Sequence, residues 1–366
     1  MKNILIGPIM DGNAGGIDRY ILNLYERTSC DEIRFDFFTN QISDALQKTL
    51  ATQNASLFEI ADLKHPFRQY ADFKRLFRTR KYDTAYFNFS TALGLLGPMA
   101  AKKCGVPKIV IHSHTTDCDI ANPYKRKLMT FLHVVCRKIL HRFGTEFYAC
   151  SKEAGLWMFP CAIVEGGHFS VVKNAIQLER FVFNAEIRAK VRKELQLEDA
   201  YVVGHIGNFV YQKNHSFLLQ SFQKLCDSVP NAKLLLVGDG PLYQAVQDSA
   251  AQMGLKDGIL FLGRKTNAND YLQAMDVFAF PSNFEGLGIV AVEAQAAGLP
   301  CVCSDRVPTE AAVTEQCCFL PINTAEAVQL WADKLAALQG VARKDMSDVI
   351  TASGYNIRQQ DFQHLV

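Results

Sequence analysis

The sequence contains no run of about 18 apolar residues, so no membrane-spanning helix is expected. Its first apolar segment, Ile4-Leu5-Ile6, is too short for the core of a signal peptide and reads as a buried strand. Internal repeats and low-complexity tracts are missing, which argues against solenoids and long disordered stretches. The 11 cysteines are odd in number and scattered, with no C-x-x-C pair. Such usage points to reduced thiols in a cytosol rather than to a disulfide framework. Cys301 and Cys303 are read as facing opposite sides of one strand, a poor metal pair, and Cys317-Cys318 as core. Charge of one sign is not in excess either, the balance being +2. The basic segments lack interleaved stacking aromatics on a recognisable module, which disfavours nucleic acid as a partner.

What is present fits a soluble α/β protein. At 366 residues the chain is too long for one ordinary core and suggests two domains. Apolar runs of strand length alternate with helical patterns, the mark of βαβ units and parallel sheets. Charge is unevenly placed: residues 1–173 carry +7 and residues 174–366 carry −5. Much of the excess lies in Lys64 to Lys81 and in Lys125 to Arg142. In the second segment Leu128, Phe131, Leu132, Val135 and Ile139 recur at helical spacing among six basic residues. Both segments, Lys64 to Lys81 and Lys125 to Arg142, are candidates for an anionic membrane surface, and for the second the alternative is a core-packed helix with a solvated basic face.

The densest chemistry lies in Pro281-Ser282-Asn283-Phe284-Glu285-Gly286-Leu287-Gly288-Ile289-Val290-Ala291-Val292-Glu293-Ala294. A buried strand, Asp276 to Phe280, leads into it, and Gly298-Leu299-Pro300 stops the helix that follows. Glu285 is placed at the helix start. Gly286 and Gly288 leave backbone N–H groups open, and these together with the helix dipole favour an anion such as diphosphate. Glu293 follows eight positions on, roughly 12 Å away if the segment is helical. One carboxylate would take hexose hydroxyls and the other ribose hydroxyls. The bland alternative is two solvated helix carboxylates.

This spacing resembles the E-x7-E motif of retaining glycosyltransferases of family 4, the group 1 enzymes that include bacterial capsular and exopolysaccharide transferases. The resemblance covers residues 1–340, is sharp from 201 to 305 and loose from 30 to 105. It implies an α/β GT-B fold, two Rossmann-like doubly wound domains facing across a cleft. The N-terminal, acceptor-binding domain would span 1–173 and the nucleotide-sugar domain 174–345, with the boundary near Val171 to Ile176. Residues 346–366 would cross back onto the first domain. Lys213 matches the family lysine that neutralises donor phosphates. The arginine common after the glycine of Gly207 is replaced by Asn208, which shifts leaving-group stabilisation onto Lys213 and backbone amides, with Arg264 as a compensating cation. Gly15 and Gly16, in the turn Asp11 to Gly16, would let the backbone approach the diphosphate. Gly238 lines the nucleotide pocket, and the Gly263-Arg264-Lys265 loop meets the base. Glu285, Gly286, Leu287, Gly288, Ile289 and Glu293 complete the donor site. A histidine acts on the acceptor side, and both His112 and His114, after the strand Lys108 to Ile111, fall in the matching window.

The resemblance implies a retaining, metal-independent hexosyltransferase with no cofactor. Its donor would be a nucleotide diphosphate sugar, UDP- or GDP-linked, and its acceptor a saccharide or lipid-linked hydroxyl in cell-surface polysaccharide synthesis. The expected location is cytoplasmic, peripheral on the inner membrane face. Asp117-Cys118-Asp119 mimics a D-x-D metal motif but lacks that motif's single-domain context and is discounted. Two alternatives stay open: a UDP-sugar 2-epimerase on the same fold, and a decayed module that only binds nucleotide sugar.

Overall fold

Short apolar runs become strands of two all-parallel sheets, because strands buried on both faces need no polar alternation. The computed structural model describes residues 1–10, 15–30, 32–51, 55–360 and 362. The turn residues Asp11 to Ala14 lie outside them. The chain divides into two units, each with its own core. The first holds Met1–Cys118, Asn122–Asn174 and the C-terminal residues from Gln360, and the second holds Asp119–Ala121 and Ala175–Gln359.

The first unit contains β1 (Lys2–Gly7), β2 (Ile33–Thr39), β3 (Ser56–Glu59), β4 (Thr84–Phe89), β5 (Lys108–Ser113), β6 (Glu146–Ala149) and β7 (Phe169–Val171), in the order β3-β2-β1-β4-β5-β6-β7. The chain winds outward from β1 and then returns to β4 beside it, so a topological switch point falls between β1 and β4. Phe38, Phe73, Phe77, Phe87 and Phe89 fill the core on one side of the sheet. Gln360 donates from its side-chain amide to Lys173 O at 2.5 Å, and Phe362 lies against Tyr20.

The helix Pro123–Leu140 is held in an unexpected way. Asn122 caps it by accepting from the Tyr124 and Lys125 amides. Its inward line joins the buried Leu140 to polar groups: His133 Nδ1 accepts from Ala92 N at 3.0 Å, and Nε2 donates to Trp157 O at 3.0 Å. The His133 ring stacks on Trp157 at 3.8 Å, and Arg137 donates to Phe159 O at 2.5 Å. Burial pushes the His133 pKa down, which keeps Nδ1 available as an acceptor. The apolar stripe Leu128, Phe131, Leu132, Val135 and Ile139 faces outward and is exposed. Of the two readings of this stripe, core packing is therefore corrected. The helix Pro66–Thr79, within Lys64 to Lys81, behaves otherwise and buries Phe73, Leu76 and Phe77.

The second unit contains β8 (Tyr201–Ile206), β9 (Ala232–Val237), β10 (Ile259–Phe261), β11 (Val277–Phe280), β12 (Cys301–Ser304) and β13 (Cys317–Leu320), in the order β10-β9-β8-β11-β12-β13. Its switch point lies between β8 and β11, where Val203 pairs with Val277 and Gly204 with Phe278. On one face Phe217 meets Trp331 edge-on at 5.4 Å. At the entry to β11, Asp276 accepts from Arg188 at 2.5 Å, Arg192 at 3.1 Å and Val202 N at 2.7 Å. This fixes the strand's start and leaves its carboxyl end for other work.

Candidate functional site

At the carboxyl ends of β8 and β11, the switch point where open α/β sheets bind ligands, two loops are laced together. After β8 the chain makes a single 3-10 turn, Tyr211–Lys213, followed by Asn214 in the left-handed region at φ 53°. After β11 it runs through Pro281 to Gly288. The Asn283 amide donates to Gln212 O at 2.7 Å, Asn283 Nδ2 to Tyr211 O at 2.7 Å and Asn214 Nδ2 to Pro281 O at 3.1 Å. At their centre Lys213 Nζ meets Glu285 Oε1 at 2.6 Å, and Gln212 Nε2 donates to Glu285 Oε2 at 3.0 Å. Lys213 also lies over the Phe280 ring, 4.7 Å from its centroid. Its side chain is 14% exposed and that of Glu285 7%.

Glu285 and Glu293 are both buried, which removes the alternative of two solvated carboxylates. One expectation is corrected. The helix begins at Ile289 with Gly288 as its N-cap, so Glu285 belongs to the preceding turn and not to the helix start. Only the latter part of the Glu285 to Glu293 segment is helical, because Gly288 sits at φ 85° and breaks the helical path. A Cβ on Gly288 would lie 2.9 Å from Phe280. Gly286 and Leu287 are buried in the turn, and Ile289 is half-buried.

The loops after β8, β9 and β10 meet backbone on backbone. Gly207 N donates to Val237 O at 3.0 Å, and Gly238 N to Gly263 O at 2.9 Å. Gly238 has φ 146°, and a Cβ there would fall 2.0 Å from Gly207 O. Asn208 and Arg264 are exposed at the rim. Sequence reasoning missed Gln212, the second partner of Glu285, although it stands next to Lys213 in the same loop. It also missed His205 and His215, both buried beneath that loop. His205 Nδ1 donates to Ala279 O at 2.8 Å, and burial pushes its pKa down to about 4. His215 stacks on Phe209 at 4.0 Å, and its pKa is lowered by burial and then by His205 and Lys213.

In the first unit Gly15 caps the helix Gly16–Thr28 in an extended conformation. Among the described residues, a Cβ on Gly15 or Gly16 would meet nothing within 4 Å. Strand β5 runs on to Ser113, two residues beyond its expected end, and places His112 inside the sheet. His112 is fully buried, with Nδ1 3.0 Å from Tyr86 OH, which in turn lies 2.8 Å from Tyr20 OH. His114 is half-buried, and its Nε2 lies 2.9 Å from Asn88 Oδ1. The two imidazoles are 4.0 Å apart. Burial holds both neutral, pushing His114 down to about 3 and His112 well below its usual value.

Asp119, counted with the second unit, accepts from Gln212 N at 3.0 Å, while Asp117 accepts from Cys118 N at 2.6 Å. Among the described residues no three His, Cys, Asp or Glu side chains are grouped to hold a metal ion. The placing of Cys301 and Cys303 on opposite sides is also corrected, since residues two apart on a strand share a face. Cys303 Sγ lies 3.8 Å from Cys317 Sγ, and Cys301 pairs in register with Cys317.

Residues 187–328 match the model of the family described as glycosyl transferases group 1. The chain is 27% identical over 355 residues to the putative glycosyltransferase EpsF of Bacillus subtilis (strain 168), covering 95% of this chain and 91% of that protein. It is 29% identical over 287 residues to the UDP-Gal:alpha-D-GlcNAc-diphosphoundecaprenol alpha-1,3-galactosyltransferase of Escherichia coli, covering 74% and 68%. Among solved structures it is similar to Anabaena Alr3699/HepE in complex with UDP and glucose, with a TM-score of 0.74 and 18% identity over 100% of this chain and 97% of that one. At that identity the likeness is one of fold, and the two parallel sheets are those of GT-B glycosyltransferases.

Proposed function

We propose that this chain, which belongs to the group 1 glycosyl transferases through residues 187–328, moves a hexosyl group from a nucleotide diphosphate sugar to an acceptor hydroxyl with retention of anomeric configuration. The observation that carries this reading is the buried Lys213–Glu285 pair beside the Glu285–Gly288 turn, at the switch point of the second sheet. Breaking the bond from anomeric carbon to phosphate develops negative charge on the leaving diphosphate. Lys213 and the backbone amides at the Gly288–Ile289 helix start are the donors for that charge, which is electrostatic catalysis of the kind that dominates such steps. Because Lys213 is neutralised by Glu285 in the free protein, donor binding exchanges its partner from carboxylate to phosphate. The exchange releases Glu285 to accept from sugar hydroxyls.

Glu293, buried in the first turns of the following helix, takes the ribose hydroxyls. Gly15 and Gly16 keep, on the family resemblance alone, the role of backbone approach to the diphosphate. His114, the half-buried member of its pair, serves the acceptor side, and Asn88 fixes its Nε2 as the protonated nitrogen. A lysine and backbone amides in this role make the transfer independent of a divalent metal. The Escherichia coli relative is named for a diphosphoundecaprenol-linked acceptor, which supports a lipid-linked acceptor in surface polysaccharide synthesis.

The test is a thermal-shift screen of UDP, GDP and ADP sugars, followed by incubation of each stabilising donor with and without lipid-linked saccharides in the presence of chelator. The expected result is released nucleoside diphosphate and an axially linked product from an axial donor. An isomerised donor formed without acceptor identifies a 2-epimerase instead. A bound donor that stays intact with every acceptor identifies a binding module.

A further inference from the structure

We propose that the outward face of the helix Pro123–Leu140 docks onto an anionic lipid bilayer, with Leu128, Phe131, Leu132, Val135 and Ile139 entering the boundary between headgroups and acyl chains. The proposal goes beyond the transfer reaction and does not rest on it. Among the described residues sixteen large hydrophobic side chains are exposed, and this one helix supplies seven of them. Tyr124 is 82% exposed and Phe131 64%. A soluble protein has no reason to concentrate apolar surface in this way, and a contiguous patch of this kind marks an interaction site.

Helical geometry arranges the patch. At about 100° per residue, the five residues named and Tyr124 fall within an arc of roughly 100°. Lys127 and Lys138 flank it on one side and Lys125 on the other, all exposed. The opposite side carries His133 and Leu140, the residues that fix the helix to its unit. An interfacial helix needs this arrangement, its apolar face turned away from the body and cations at the margin where lipid phosphates lie.

Charge decides between a bilayer and a second copy of the chain. From Ile120 to Thr145 there is no Asp or Glu, against six Lys and Arg. A two-fold pairing of this face would oppose the lysine margins with no acid between them. An anionic leaflet supplies the missing complement, contributing about fivefold in affinity per lysine near its surface.

The experiment is co-sedimentation of the full chain, without donor, with vesicles of pure phosphatidylcholine and of phosphatidylcholine mixed with phosphatidylglycerol. The wild type is expected to bind the mixed vesicles and to bind the neutral ones far more weakly. Leu128→Ser/Phe131→Ser should lower binding tenfold or more. Lys127→Gln/Lys138→Gln should lower it roughly twentyfold on mixed vesicles and barely change it on neutral ones. These positions are exposed, and unchanged thermal melts show that each variant is folded. Equal, negligible binding to both vesicles overturns the proposal. So does binding that the Leu128→Ser/Phe131→Ser variant retains in full. A wild-type dimer in sedimentation velocity that this variant turns into a monomer also overturns it and assigns the face to a second copy.

Discussion

Replacing Lys213 by Met leaves the Glu285 carboxylate buried without its cation, and the cost follows from the geometry. At 2.6 Å and an effective dielectric of about 20, the gross attraction within the pair is roughly 6 kcal/mol. Both side chains are largely removed from water, so desolvation offsets much of that gain, but deleting one partner forfeits the attraction while the other group stays buried. The single variant should therefore lose about 3 kcal/mol of the second unit's stability. Lys213→Met/Glu285→Leu exchanges the pair for apolar groups of similar size and should return to within about 1 kcal/mol of wild type. The protein offers a clean reporter, since its two tryptophans fall one in each unit and Trp331 is fully buried in the second. Urea unfolding followed by Trp331 fluorescence in a Trp157→Phe background reads the double-mutant cycle. Turnover separates stability from chemistry: the double variant regains stability and remains inactive. A double variant as unstable as Lys213→Met, or a single variant as stable as wild type, would refute the reasoning.

Four further outcomes are expected. Glu293→Ala should raise the donor KM with little change in kcat, as loss of a ribose contact requires, and steady-state kinetics showing the reverse split would reassign the residue. Gly15→Ala should leave the melting temperature unchanged, since its Cβ meets no described residue within 4 Å, yet weaken donor binding. Gly288→Ala should cost about 2 kcal/mol, because an alanine there is strained at φ 85° and crowds Phe280. His205 is held neutral in the fold, with its pKa pushed down to about 4, whereas in the unfolded chain it takes up a proton near pH 6.5. Its contribution to stability is thus complete above pH 6.5 and is lost as the pH falls toward 4, by about 1.4 kcal/mol per pH unit. His205→Asn should flatten the pH dependence of the unfolding free energy from urea titration by that slope between pH 6.5 and 5.

Much of this was legible in the sequence because parallel strands announce themselves. Residues Val277 to Phe280 are apolar on both faces and bounded by turn formers, so β11 and its loop could be placed without tertiary information. Lys213 and Glu285 could be nominated for the same reason. Their mutual pairing could not, since it depends on the β8–β11 neighbour relation, which sequence order hides behind β9 and β10. Gln212 was invisible for that cause, an amide in a loop being distinguished only by what stands opposite it. The helix start lies four residues later than expected because Gly286 and Gly288 both follow Pro281-Ser282 and the sequence gives no sign of which turns left-handed. For the helix Pro123–Leu140, periodicity gave the stripe but not its direction, and nothing in the pattern showed that His133 and Arg137 would serve as the inward side.

That inward side has a practical consequence. Greasy packing tolerates rolling, whereas the His133 and Arg137 hydrogen bonds are directional and lock the helix at one rotation about its axis. The helix therefore has no means of tucking its adhesive strip away when no lipid is near. The purified protein carries that strip permanently into solution.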